Sequence, residues 1–356
     1  MMEESNRTFT VAVDCMGGDR GPSVVVEGAV RFLRDDRARA AEGVSIILVG
    51  DRDVLARELS QAGGARLPIS IQHASQVITM DDHPAEALKT KPDSSMAVMA
   101  GLQKHGAAQA MVSPGNTGAM MAASLFALGR IEGIPRPAIA GTFPSQNNPT
   151  TVLDVGANVD CKAEQLFQFA LMGDAYSRGV FGIANPRIAL LNVGSEKGKG
   201  TDMLREVHAM LEASRMNFQG NIEGDGILKG EADVVICDGF VGNVVLKTFE
   251  SIADLVGGSL YLEMKRHWAS RAGYLMMRHS FTKLWQLLDS AEYGGAPLLG
   301  LNGVSIVAHG SSTSKAIKNA IVAACDFYRS GVKDKIRLEI GRSVHGGAEG
   351  SRLESK

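Results

Sequence analysis

The sequence predicts an α/β protein whose largely parallel sheet is covered by helices on both faces. Two observations carry that prediction. Short apolar runs alternate with longer segments of helical period along the whole chain, and most of the runs end in a glycine-rich polar turn. The runs lie near 10–14, 45–49, 108–113, 151–154, 187–192, 234–237 and 304–308, with helical spacing over 163–176, 203–212 and 314–328.

The first run shows the pattern. VAVDCMGGD, residues 11–19, sets a β-favouring stretch against two carboxylates that bracket a glycine pair. The strand delivers Asp14 and Asp19 to a sheet end, and Gly17-Gly18 let the backbone turn where a side chain would clash. Two readings stand at this point: a surface turn with solvated acids, or a ligand-bearing loop at the edge where open α/β sheets hold their ligands.

Five further turns repeat the chemistry. SPGNTG (113–118), DVGAN (154–158), NVGS (192–195), DGFVGN (238–243) and AHGSS (308–312) each follow an apolar run. In a wholly parallel sheet all of them gather at one edge and line a cleft with N–H groups, amides and hydroxyls. In the first, Gly115 and Gly118 permit close backbone approach, and Asn116 or Thr117 caps the helix begun by MMAASLF. A capped helix without a ligand and an anion cradle both fit those residues. No G-x-x-x-x-G-K-[ST] loop and no dinucleotide fingerprint occurs, so a small oxyanion suits the cradle better than a nucleotide. Lys197 and Lys199, on the loop GSEKGKGTD, are either solvated or swing toward a bound anion, and His309 at a strand end is either a packing residue or an acid–base group.

Bulk properties narrow the classes. With 356 residues, 45% of them hydrophobic, the chain can bury a large core, as one big α/β domain or two joined lobes. A net charge of -2 gives no electrostatic reason to expect nucleic acid. The start MMEESNRTFT has neither the basic flank nor the apolar core of a secretory signal, and no run approaches the roughly 20 apolar residues of a membrane span. A cytoplasmic protein with at most peripheral membrane contact is expected. Cys15, Cys161, Cys237 and Cys325 form no C-x-x-C pair, which predicts free thiols and no metal site.

Residues 259–289 differ from the rest. They hold Trp268 and Trp285, the chain's two tryptophans, with the bases Lys265, Arg266, Arg271, Arg278 and Lys283. Met277, Phe281, Leu284, Trp285 and Leu288 share one apolar helical face. That face packs in the core or between two copies, or it forms a basic amphipathic surface for anionic lipid or an acidic protein.

The ordered set of motifs resembles the PlsX family of phosphate acyltransferases. The resemblance rests on AVDCMGGD with Pro22, SSMAVM (94–99), SPGNTGA, GRIEGIPRPAIA (129–140), LDVGANVD (153–160), LLNVGSEKGKG (190–200), ADVVICDGFVGNVVLKTFE (232–250), YGGAPLLGLNG (293–303) and AHGSS, and runs from about Val11 to Val332. Cys15 and Pro114 depart from alanines in the family pattern, and the stretch before SSM is poorer in arginine. Family members manage without Cys15, so it is not expected to be a nucleophile.

The resemblance implies a Rossmann-like α/β/α sandwich with a mostly parallel sheet, similar to isocitrate and isopropylmalate dehydrogenases. A single domain over 1–340 is expected, with an amphipathic helical protrusion at about 257–292 and a disordered tail at 341–356. The implied reaction moves a fatty acyl group from acyl carrier protein to inorganic phosphate, giving acyl phosphate for phospholipid synthesis, with no metal or organic cofactor. The implied partners are carrier protein, phosphate, a second copy, an anionic membrane and a membrane glycerol-3-phosphate acyltransferase.

On that reading Asn116 and Thr117 hold phosphate together with Ser113, Gly115 and Gly118, Lys199 neutralises developing charge, Asn243 bonds the oxyanion, and His309 is a lesser candidate. Asp14, Gly17, Gly18, Asp19, Asp154, Gly156, Asn158, Asp238, Gly242, Gly310 and Ser311 shape or line the cradle. Arg266, Trp268, Arg271, Arg278, Phe281, Lys283, Trp285 and Leu288 meet the carrier protein or membrane. The rivals are a phosphotransacetylase using short acyl-CoA, a dehydrogenase of related fold, and a non-catalytic membrane scaffold.

Overall fold

The structure, a computed structural model, describes residues 9–35, 43–288 and 290–353, the side chains of 268, 269, 271, 272, 284–290 and 343–353 excepted. The elements run β1 (Phe9–Asp14), α1 (Pro22–Arg34), β2 (Val44–Gly50), α2 (Arg52–Gln61), β3 (Ile69–His73), α3 (Pro84–Thr90), α4 (Ser95–Lys104), β4 (Ala110–Ser113) and α5 (Thr117–Leu128). They continue with β5 (Ala138–Phe143), β6 (Thr150–Leu153), α6 (Ala163–Val180), β7 (Ile188–Leu191), α7 (Asp202–Glu212), β8 (Phe218–Ile222), α8 (Gly224–Lys229) and β9 (Val234–Ile236). The last are α9 (Gly239–Arg266), α10 (Trp268–Leu288), a 3-10 turn at Ser290–Tyr293, β10 (Ala296–Leu299), β11 (Val304–Val307), α11 (Ser314–Arg329) and α12 (Val332–Leu353).

One sheet holds the described strands in the order β3-β2-β1-β4-β11-β10-β5-β6-β9-β7-β8. Side chains alternate across it, so Val11 and Val13 of β1 enter one apolar core while Ala12 enters the other. The strands read from the sequence are all present. Four others, β3, β5, β8 and β10, are added by tertiary pairing.

Two of those four change the architecture. β10 pairs antiparallel with both β11 and β5, and β5 pairs antiparallel with β6. Three reversals in a row turn the second half of the sheet against the first: β1, β4 and β11 point one way, while β6, β7 and β9 point the other. The expectation that all the glycine turns gather at one edge is therefore corrected. Two groups of turns form, one for each half, because parallel pairing holds only within each half.

The end of the chain is also more regular than its glycines suggest. A disordered tail was expected from Gly341, yet α12 continues to Leu353. Val332, Ile336 and Ile340 recur every four residues, are buried, and seat the helix against α6, which supplies the apolar face that an isolated helix would lack.

Helix packing against the sheet is close enough to exclude side chains at particular points. α1 crosses α11 at Gly28, where a β-carbon would stand 2.7 Å from Ile317 Cβ and 2.8 Å from the Ser314 carbonyl oxygen. Gly28→Val must push the two helices apart, and urea denaturation should register a loss of about 1–3 kcal/mol.

Candidate active site

The first group of turns is locked by Asp14. At the end of β1 its Oδ1 accepts the N–H groups of Met16 (3.0 Å) and Gly17 (3.2 Å), and its Oδ2 accepts the Ser113 hydroxyl at 2.7 Å. Ser113 Oγ in turn accepts the Gly115 N–H. The Asp19 N–H donates to the Gly310 carbonyl, so the turns after β1, β4 and β11 form one unit. A β-carbon at Gly17 would lie 2.8 Å from Gly115 Cα, which is why neither turn tolerates a larger residue there. Asp14 is fully buried, and the carboxylate organises the loops rather than facing substrate.

Asn116 completes this unit. Its Oδ1 caps α5 by accepting the Ala119 N–H, and its Nδ2 donates to the carbonyls of Thr79, Met80 and Asp82. The Asp82 carboxylate bonds Lys91 Nζ at 2.5 Å and the Thr79 N–H at 2.7 Å, and these contacts hold it down at about 2. That arc keeps its clamp above the ordinary carboxylate range and loses it as pH falls through about 2. Asn116 is thus spent on positioning, and Thr117, the first residue of α5, presents the helix terminus outward.

The second group is organised by Asp154, which is also fully buried. Its Oδ1 accepts the N–H groups of Ile139 (3.0 Å), Gly156 (3.2 Å) and Ala157 (3.1 Å); its Oδ2 accepts the Asn158 N–H (2.6 Å) and Asn158 Nδ2 (2.8 Å). Burial pushes this carboxyl up, and the N–H donors pull against that push. The Gly239 N–H donates to the Asn158 carbonyl, and a β-carbon at Gly242 would fall 1.9 Å from the Asp154 carbonyl oxygen. Asp238 caps α9 by accepting the Val241 N–H. α9 therefore starts pressed onto the loop that Asp154 shapes, which carries Asn243 past Gly156. That glycine has φ +139, and a β-carbon on it would be 3.6 Å from Asn243 Oδ1.

The two groups face each other across the sheet reversal. α9 lies over this junction with Val245, Leu246 and Phe249 against the core, and beneath it opens a cleft of about 1260 Å³. Thr117 enters from the first group, Gly156 and Asn243 from the second, and His309 and Ser311 from the turn after β11; Gly141 and Thr142 of β5 also line it. Thr313, the N-cap of α11, is another lining residue, so two helix N-termini reach the same space. The Asn243 carboxamide has no protein hydrogen-bond partner among the described residues.

His309 and Lys247 meet here. Lys247 Nζ is 3.0 Å from His309 Nε2 and 2.8 Å from Glu250 Oε2. An ammonium has no lone pair to give, so it donates to Nε2, and the ring proton on Nδ1 goes to Ser311 Oγ at 2.8 Å. The Ser311 N–H lies 3.2 Å from Nδ1 and serves the opposite tautomer. The ammonium thus favours the tautomer with the ring proton on Nδ1 and Nε2 as acceptor.

Of the residues singled out in the sequence, Thr117, Gly156, Asn243, His309 and Ser311 line the cleft; Asp14, Gly17, Gly18, Asp19, Ser113, Gly115, Asn116, Gly118, Asp154, Asn158, Asp238, Gly242 and Gly310 build or flank its walls. Lys199 is not among the lining residues. It lies on the exposed loop after β7, 3.8 Å from Glu196, while Lys197 pairs with Glu212. The cleft's ammonium groups come from α9, at Lys247 and Lys265. Sequence reasoning passed over Lys247 because a lysine inside a long helix reads as a solvated face; its place in the GNVVLKTFE motif was the available signal.

The thiols stand apart from this chemistry. Cys15 is fully buried and, with Cys237, raised well above the ordinary range by burial, while Cys161 is pushed up to about 11. Arg266, Arg278 and Lys283 are exposed on α9 and α10, and Phe281 is half-buried against Tyr274. The side chains of Trp268, Arg271, Trp285 and Leu288 lie outside the described ones. Among the described residues no helix is long and apolar enough to cross a membrane, and no three His, Cys, Asp or Glu side chains stand together as a metal site.

Residues 9–335 match the sequence model of a family described as fatty acid synthesis protein. A phosphate acyltransferase of Trichlorobacter lovleyi is 49% identical over 333 residues, covering 94% of this chain and 95% of the relative. One from Pelobacter propionicus is 48% identical over 326 residues, 92% of each chain. Among solved structures, a phosphotransacetylase from Staphylococcus aureus superposes with a TM-score of 0.57 at 16% identity, covering 89% of this chain and 94% of that one. One from Streptococcus pyogenes gives 0.57 at 17%, covering 89% and 93%. These likenesses establish a shared fold with a mostly parallel sheet. The extent and identity of the sequence match place the chain in the family of fatty acid synthesis proteins to which those curated phosphate acyltransferases belong.

Proposed function

We propose that this chain is a phosphate acyltransferase that moves a fatty acyl group from acyl carrier protein to orthophosphate. One observation carries the reading: a single cleft joins an end rich in donors, with the Lys247 ammonium among them, to a wall that is mostly apolar and carries Lys265 further along α9. Such a cleft fits a small oxyanion at one end and a fatty acyl chain along the other. The relatives' shared name supports the reaction class.

In the proposed reaction an orthophosphate oxygen attacks the thioester carbon, a tetrahedral oxyanion forms, and the carbon–sulfur bond breaks to release the carrier thiol and acyl phosphate. Phosphate is partly dianionic near neutral pH, so the protein's task is placement and charge compensation. The α5 terminus at Thr117 and the Lys247 ammonium hold the phosphate, a role Lys247 takes in place of Lys199. Asn243 Nδ2 donates to the oxyanion, and His309 passes the proton lost by the attacking orthophosphate to the leaving sulfur. The buried, protonated thiols take no part.

The related dehydrogenase folds remain the proposed wider kinship, supported by the shared phosphotransacetylase fold. We also propose that α9 and α10 form a protruding amphipathic pair that serves pairing of two copies and docking of acidic carrier protein, a membrane glycerol-3-phosphate acyltransferase or anionic lipid. Its support is a set of exposed apolar residues, including Leu255, Leu262, Leu275 and Met276, beside the bases Arg266, Arg278 and Lys283. A cytoplasmic, single-domain enzyme working without a cofactor is part of the same reading.

Purified protein incubated with hexadecanoyl carrier protein and labelled orthophosphate should yield labelled acyl phosphate, with acyl-CoA a poor donor. No acyl phosphate from the carrier donor would reject the assignment, and a preference for acyl-CoA would favour the phosphotransacetylase rival. Asn243→Ala, with its fold verified by circular dichroism, should lose about 10²–10³ in kcat with little change in the phosphate KM; an undiminished kcat removes Asn243 from the reaction. In vesicle sedimentation the protein should bind anionic vesicles and dissociate as salt rises, whereas absence of binding at low salt would eliminate the lipid contact.

A further inference from the structure

Glu250 is an acid on the wall of a cleft assigned to an oxyanion, where an unmatched negative charge works against the ligand. Its Oε2 accepts from Lys247 Nζ at 2.8 Å, three residues back on α9. Pairs of this spacing on an open helix face are worth little, and Arg266–Glu263 further along α9 is of that kind, its acid 65% exposed. Glu250 is 25% exposed, and the turn that carries it is seated on the core by Val245, Leu246 and Phe249, whose ring lies 5.6 Å from that of Phe143. Its partner is also engaged elsewhere: Lys247 Nζ stands 3.0 Å from His309 Nε2, on the turn after β11.

We infer that Glu250 is a positioning residue that fixes the Lys247 ammonium and, through it, the His309 ring, an inference that rests on the acyl-transfer reading above. An ammonium carries three N–H donors on a flexible stem. Anchored at His309 alone, it rotates about that bond and its other two donors sweep the cleft. Anchored at both Nε2 and Oε2 it keeps one orientation, and its third N–H, which accepts no partner among the described residues, points in one direction for a phosphate oxygen. The same anchor holds the ammonium on Nε2, so the ring proton stays on Nδ1 against Ser311 Oγ. Glu250 touches neither phosphate nor thioester in this account. It acts through Lys247.

The test measures kcat/KM for orthophosphate, with hexadecanoyl carrier protein as donor, in wild type, Glu250→Ala, Glu250→Gln, Lys247→Ala and the double variant of Glu250→Ala with Lys247→Ala, after circular dichroism has confirmed that each folds. Loss of a charge-assisted hydrogen bond predicts a fall of about tenfold for Glu250→Ala. Glu250→Gln keeps an acceptor oxygen at the same reach and should return to within about threefold of wild type. Once Lys247 is gone, removing Glu250 should cost no more than about twofold, because nothing is left for it to position. Equal loss with and without Lys247, no loss in Glu250→Ala, or a Gln variant no better than Ala overturns the assignment. If wild type forms no acyl phosphate, the acyl-transfer reading fails. The positioning role is then decided separately by nitrogen NMR of protein labelled at its histidine rings, with the His309 signal assigned through His309→Gln. A ring proton that sits on Nδ1 in wild type and moves to Nε2 in Glu250→Ala supports the role, and a ring unchanged between the two refutes it.

Discussion

The fold turns on a buried carboxylate that cannot be left unpaired. Asp154 sits at the end of β6 with no solvent contact, and its stability depends on the N–H groups that converge on it from Ile139, Gly156, Ala157 and Asn158. Burying a charge without such partners is among the most expensive things a protein can do. The same bonds fix the loop on which α9 is seated, and Gly242 allows the helix to touch the Asp154 carbonyl. The direction of α9, and with it the positions of Asn243 and Lys247, follows from that contact.

The sheet reversal gives this helix its purpose. Had all strands run parallel, the turns of both halves would stand along one edge, and α9 would cover an ordinary sheet face. With β10 and β5 inserted antiparallel, the two halves present their turns to a shared junction, and α9 roofs it. One wall is a helix terminus held by Asp14 and Asn116, the opposite wall is the Asp154 loop, and the His309 turn lies between. Each wall owes its shape to a side chain that faces away from the cleft.

Much of this was legible in the residues. The strand ends with their glycine turns, the capping residues Asn116 and Asp238, and the convergence of acids on loop N–H groups follow from local chemistry that reads directly from sequence. Strand direction does not. Ala138–Phe143 follows Pro135 and Pro137, Ala296–Leu299 is four residues long with a proline, and neither carries a pattern that distinguishes parallel from antiparallel pairing. The lysines show the same limit. Lys199 attracts notice because glycines surround it, whereas Lys247 is one cation among many on a 28-residue helix until packing brings it to 3.0 Å from His309. Which side chains meet across 62 residues of sequence is settled by tertiary structure alone.

The most direct test of the Asp154 account is Asp154→Asn, read by amide hydrogen exchange at Gly156–Asn158 and Gly239–Gly242 together with the phosphate KM of the folded variant. An amide places an N–H where one carboxylate oxygen accepted, so exchange should quicken in both segments and KM should rise while the rest of the sheet keeps its protection. Unchanged exchange in those segments with an unchanged KM would show that the carboxylate does not hold the cleft in shape.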